Sequence, residues 1–196
     1  MIGERQASCE PGRGSDAAQT FDVRTFRDAL GRFATGIVIV TAKLADGELS
    51  GMTANSFSSV SIDPPLVLFS VQRTTKSGAA LLRAKGYGIS ILRANQQHLS
   101  NQFARASSDR WHSTEWVEGY ASAPFIRGAF ARFECVPYAT YDGGDHVIVV
   151  VRVLNFAIEP DRPDPLLFFS GEYRKLSDED GQPGPQDWPL SIYGGW

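Results

Sequence analysis

Cysteine and histidine are scarce in this chain. Among 196 residues there are two cysteines, Cys9 and Cys135, and three histidines, His98, His112 and His146. None of them has the close spacing a metal needs, so no metal site is expected. One cysteine in a polar leader and one in an apolar strand make no disulfide framework, which points to a cytoplasmic protein. No apolar run approaches the roughly 20 residues that span a bilayer, and the opening MIGERQASCEPGRGSD lacks the apolar core of a secretion signal. A membrane role is therefore not expected. Net charge is −3 with a pI near 5.6, and without a basic surplus nucleic acid is not an expected partner. No G-x-G-x-x-G follows a strand and no P-loop is present, so any nucleotide must be held by other means. Nor does any serine stand in a strained nucleophile elbow.

By contrast, small hydroxyl residues gather in residues 51–72, GMTANSFSSVSIDPPLVLFSVQ. Thr53, Asn55, Ser56, Ser58, Ser59 and Ser61 are interrupted only by Ala54, Phe57 and Val60. Unpaired buried polar groups cost roughly 1–3 kcal/mol each, so such a run belongs where its groups find partners. Asp63-Pro64-Pro65 forces an extended turn, because proline withholds its N–H and restricts the residue before it. Leu66 to Val71 then reads as a buried strand. A strand of donors, a rigid turn and a strand carrying Ser70 and Gln72 suit a flat heteroaromatic ring or a phosphate. Taken alone, the run equally suits a serine-rich loop that caps its own backbone.

The remaining pattern fits one domain. Residues 1–20 read as a flexible leader and 177–196, rich in Gly, Pro and acid, as a flexible tail, with a domain over 21–176. Asp22 is a fair N-cap for a helix whose Phe26, Leu30 and Phe33 form one apolar stripe, and Gly36 is expected to end it. Ile37 to Thr41 has no polar face and should be buried on both sides. Asp46-Gly47 signals a hairpin. Ser77 is the expected cap of a short helix through Ala84, Tyr87 to Ile91 alternate as a strand, and Asn95 is expected to start another helix. Residues 107–125 form a long polar and aromatic excursion with Trp111 and Trp116, a length usual for lids or interface arms. About eight strand candidates against three helices, joined by hairpin signals, predict a mainly β fold: an antiparallel barrel with peripheral helices.

A second cluster is Gly143-Gly144-Asp145-His146. Two glycines allow close backbone approach, His146 stands at the start of a long strand, and Asp145 beside it suits the task of fixing the imidazole. By spacing alone the cluster is also an ordinary hairpin turn.

Taken together, Arg32-Phe33-Ala34-Thr35-Gly36, Thr53-Ala54-Asn55-Ser56-Phe57 with Ser61 and Asp63-Pro64-Pro65, and Gly144-Asp145-His146 resemble the flavin reductase family. More narrowly, the chain looks like the short-chain NAD(P)H:flavin oxidoreductases of two-component flavin-dependent monooxygenases, over about residues 23–176. The resemblance implies a split antiparallel β-barrel of Greek-key type (the FMN-binding split barrel), a homodimer, and FAD or FMN with NADH as cofactors. It implies that reduced flavin diffuses to a partner oxygenase. Carried over by position, Thr53, Ala54, Asn55 and Ser56 contact the isoalloxazine and ribityl chain, with Ser59 and Val60 nearby. Ser70, Val71 and Gln72 follow along the flavin, and Lys76 with Ser77 sit by its phosphate. Gly144, Asp145 and His146 match the nicotinamide motif, His146 being the catalytic position, and Phe168, Gly171 and Tyr173 resemble a closing segment. Relatives often carry glycine where this chain has Val151, which leaves open a narrowed nucleotide groove or a repacked strand. The rival reading is a non-catalytic flavin- or haem-binding split barrel, a carrier or sensor.

Overall fold

The computed structural model describes residues 22–105, 109–119, 123–160 and 164–176. The leader 1–20 and the tail 177–196 expected from composition lie outside the described residues. In chain order the elements are α1 (Val23–Leu30), β1 (Thr35–Gly36), β2 (Val38–Lys43), β3 (Leu49–Ala54), β4 (Ser58–Ser61), β5 (Leu66–Gln72) and α2 (Lys76–Leu81). They continue with β6 (Tyr87–Ile91), α3 (Gln97–Ala104), β7 (Trp116–Glu118), β8 (Pro124–Ile126), β9 (Ala131–Gly143), β10 (His146–Ile158), β11 (Leu167–Phe169) and β12 (Glu172–Arg174).

Seven strands form one antiparallel sheet in the order β3-β2-β6-β9-β10-β5-β4. Val38, Val40 and Ala42 of β2 share one core with Val67, Phe69 and Val71 of β5, Ile89 of β6, Cys135 of β9 and Val149 of β10. Strands far apart in the sheet order therefore pack on each other, so the sheet curls into a barrel. It stays split where β3 and β4, the two edges, are not paired. Full burial of side chains such as Phe69, Ile89 and Val149 stabilises the barrel by about 1.5–3 kcal/mol each. Cys135 lies in this core with its thiol pushed up to about 12 by burial, so it is an inert apolar filler.

The unbroken apolar run at β2 is explained by a second core. Ile39, on the opposite face, packs with Ile37, Leu92, Leu99, Phe103, Ile126 and Leu166 beneath α3. Both faces of β2 are thus covered, as expected. The hairpin at Asp46-Gly47 is present, with Gly47 at φ 86°. Gly144 at φ 75° takes the first of the two central positions between β9 and β10, the place a type II′ turn reserves for glycine.

Three local expectations are corrected, and the apolar stripe at α1 is exposed. The helix capped by Asp22 ends at Gly31, while Gly36 pairs with Leu167 in the small sheet β1-β11-β12, because the strand partner outweighs a glycine stop. The apolar stripe of α1 is not a core face: Phe26, Leu30 and Phe33 are 51%, 60% and 78% exposed. α2 is capped by Thr75, not Ser77. Asn95 lies in a short 3-10 turn, Ala94–Gln96, ahead of α3.

Candidate functional site

Strand alternation decides what faces out of the barrel. Val67, Phe69 and Val71 of β5 point inward, so Ser70 and Gln72 point outward. Val147, Val149 and Val151 of β10 point inward, so His146 and Ile148 point outward. Register sets His146 opposite Gln72 and Ile148 opposite Ser70, which gathers Ser70, Gln72 and His146 on one patch.

The edge strand β3 supplies the facing wall. Its Leu49 carbonyl accepts the Trp111 indole N–H at 3.0 Å, and its Gly51 carbonyl accepts from the Arg110 guanidinium. Odd-numbered residues here turn their backbone groups away from β2, so those of Thr53 continue an edge that no further strand covers among the described residues. Such an edge can pair with the carbonyls and ring nitrogens of a flat ligand. The Thr53 hydroxyl donates to Ser100 O at 2.6 Å and anchors α3. Ser56 Oγ accepts from the Ser70 N–H at 2.9 Å and bridges the split. Asn55 is exposed, and its amide has no hydrogen-bond partner among the described residues.

Between these walls, α2 and α3 lies a cleft of about 1180 Å³, room for a nucleotide-sized ligand. Lys76, Arg105 and Arg110 line it, and Glu48 is the one carboxylate among the lining residues. The junction of β5 and α2 is tight. Thr75 Oγ1 lies 3.1 Å from Gln72 O, to which it donates, and accepts from the Gly78 N–H at 3.0 Å. A Cβ at Gly78 would stand 2.2 Å from Gln72 O, so only glycine fits. With the cap taken by Thr75, Ser77 Oγ instead accepts from Arg110 Nη1 at 3.1 Å.

The turn before His146 is held from β5. The Arg73 N–H donates to Asp145 O at 3.1 Å, its Nε to Gly144 O at 3.0 Å and its Nη2 to Asp142 Oδ1 at 3.0 Å. The Gly144 N–H and Arg73 keep the Asp142 carboxyl below the usual carboxylate range. A hydrogen bond from His146 does the same for Asp145, whose Oδ1 lies 2.7 Å from His146 Nδ1. That contact occupies Nδ1 and leaves Nε2 for a ligand.

Of the residues singled out from sequence, Thr53, Ala54, Asn55, Ser56, Ser70, Gln72, Lys76, Ser77 and His146 line the cleft. The others do not. Val71 is buried in the barrel, and Ser59 and Val60 lie on β4 beside the far half of β5. Gly144 and Asp145 form the turn behind His146. The Tyr173 hydroxyl meets Ser100 Oγ at 2.9 Å and Asn101 Oδ1 at 3.1 Å, bracing the helix that carries Thr53's partner. Val151 faces the barrel core at 0% exposure and is not among the residues lining the cleft. Sequence reasoning gave Arg110 and Trp111 no chemical role and passed over Arg105. The only signal was an arginine and a tryptophan inside a long excursion.

A split barrel whose mouth carries an unpaired strand edge, a free amide and a cationic corner defines a binder of flat, anionic nucleotides. Comparison with known proteins narrows that class. Residues 30–177 match the family model of the flavin reductase like domain. The reductase subunit HsaB of a flavin-dependent monooxygenase from Rhodococcus jostii is 34% identical, over 89% of this chain and 88% of its own length. The FMN reductase (NADH) SmoA from Agrobacterium fabrum is 42% identical over 79% of this chain and 86% of its own. Among solved structures, the NADH:FAD oxidoreductase SgcE6 from Streptomyces globisporus, in complex with NAD and FAD fragments, superposes with a TM-score of 0.76. It is 36% identical and covers 81% of this chain and 94% of that one. The chain belongs to the flavin reductase like family.

Proposed function

We propose that the protein is an NADH-dependent flavin reductase that supplies diffusible reduced FAD or FMN to a partner flavin-dependent oxygenase. The observation that carries this reading is the shared patch of His146, Gln72 and Ser70 beside the β3 edge. One wall offers groups for a flavin ring, and the histidine of the nicotinamide motif stands on the adjoining strand.

When bound together, the two nucleotides supply the chemistry, a hydride passing from nicotinamide to flavin. The chain supplies placement. The backbone of Thr53, the Asn55 amide, Ser56, Ser70 and Gln72 hold the flavin ring edge, and Lys76 with Ser77 receive the phosphate. His146, fixed through Nδ1 by Asp145, presents Nε2 to the nicotinamide. No acid or base on the protein is needed for the hydride itself. Relatives named as NADH-dependent reductases favour NADH as the donor, and FAD is preferred with FMN accepted.

The protein works as a cytoplasmic homodimer in this reading. No helix among the described residues is long and apolar enough to cross a membrane. The exposed stripe of α1 supports self-association, since contiguous exposed apolar surface marks interfaces.

The test is steady-state NADH oxidation with FAD, FMN or no added flavin. Turnover that depends on added flavin is expected, faster with FAD. Flavin binding without turnover would replace this reading with a carrier.

A further inference from the structure

Arg110 stands on the arm between α3 and β7 and is 8% exposed. Its Nη1 donates both to Gly51 O and to Ser77 Oγ, the latter at 3.1 Å, and Nη2 donates to Arg105 O at 2.8 Å. The guanidinium carbon lies 5.9 Å from the Phe103 ring centroid. One side chain thus ties the β3 edge, the start of α2 and the arm into a single corner. Burial lowers the Arg110 pKa from its ordinary value, yet an arginine remains charged at any pH the protein meets.

The direction of these bonds fixes what the corner can bind. Ser77 Oγ accepts a hydrogen bond from Arg110, so its own O–H points elsewhere, and Ser77 lines the cleft. Lys76 beside it has no hydrogen bond or ion pair among the described residues. The corner therefore presents a hydroxyl donor, an ammonium and a guanidinium charge. That set matches a phosphate oxygen better than a ring carbonyl or a sugar hydroxyl.

We propose that Arg110 makes this cleft selective for 5′-phosphorylated flavins over riboflavin, by aiming the Ser77 hydroxyl and holding positive charge beside Lys76. It acts as a positioning residue, through Ser77. The inference rests on the flavin reductase reading of the cleft.

The test titrates riboflavin and FMN into the full chain, wild type, Arg110→Gln and Arg110→Lys, following flavin fluorescence, with thermal melts to check folding. Wild type should bind FMN about tenfold or more tighter than riboflavin, equivalent to about 1.4 kcal/mol. Arg110→Gln should lose about tenfold for FMN while riboflavin stays within about twofold, so the ratio approaches one. Arg110→Lys should fall between, keeping charge but losing the forked hold. Equal losses for both ligands, or an unchanged ratio, would overturn the assignment and leave Arg110 a brace for the wall. Should Arg110→Gln fail to fold, Ser77→Ala carries the same expected split. Wild type that binds neither flavin would overturn the reductase reading itself, and the assignment would fall with it.

Discussion

His146 and Asn55 divide the proposed labour of the cleft, and their surroundings say how. His146 Nδ1 meets a carboxylate that stays ionised over the working range, on a turn pinned by three contacts from Arg73. Both carboxylates, Asp142 and Asp145, stand in solvent, where ion pairs add little to stability, so the arrangement orients the ring more than it stabilises the fold. His146→Ala should therefore raise the KM for NADH about five- to tenfold, the worth of one good contact, with flavin affinity nearly intact. Asn55→Ala should do the reverse, weakening flavin by about the same factor because its amide is committed to nothing else. Steady-state KM values and flavin titrations separate the two. A His146→Ala enzyme with an unchanged KM for NADH would remove the ring from the nicotinamide site.

The junction from β5 into α2 is where local packing and ligand binding meet. Gly78 sits where a Cβ would lie 2.2 Å from a backbone oxygen, which cannot swing aside as a side chain can. Gly78→Ala should cost about 1–3 kcal/mol as overpacking, a fall in Tm of roughly 2–12 °C for a chain this size. It should also weaken flavin, because relieving the clash moves Gln72 and Lys76. A melt unchanged within error would show that the junction yields freely. This junction also marks the limit of what sequence alone reveals. Hairpins at Gly47 and Gly144, the two-sided burial of β2 and the long strand starting at His146 were all legible, because each rests on neighbours within a few residues. Thr75 against Ser77 as cap was not, since both suit the position and only the path of Gln72 decides. Arg110 was hidden for another reason. Its partners lie 59 and 33 residues away in the chain, and nothing local marks an arginine that will be buried.

The two cores account for most apolar strand residues, which makes the exposed remainder informative. Val23, Leu30 and Phe33 in and just after α1 are 62%, 60% and 78% exposed, although their spacing is that of a helix built to cover something. A second patch of Leu154, Phe156 and Ile158 alternates along the half of β10 that has outrun β5, at 46%, 61% and 65% exposure. Leaving several large apolar side chains in water forgoes about 1.5–3 kcal/mol apiece, a loss that association recovers. In solution the protein should run at twice its chain mass of 21.4 kDa by analytical ultracentrifugation. A Leu30→Glu and Phe33→Glu double variant should shift toward the single-chain mass while its far-ultraviolet dichroism still reports an intact barrel, because neither residue belongs to either core. Retention of the doubled mass in that variant would move the interface away from α1 and onto the β10 patch, where Phe156→Glu is the matching test. If wild type itself sediments as a single chain, the exposed stripe must serve another surface, and the partner oxygenase becomes the first candidate to cover it.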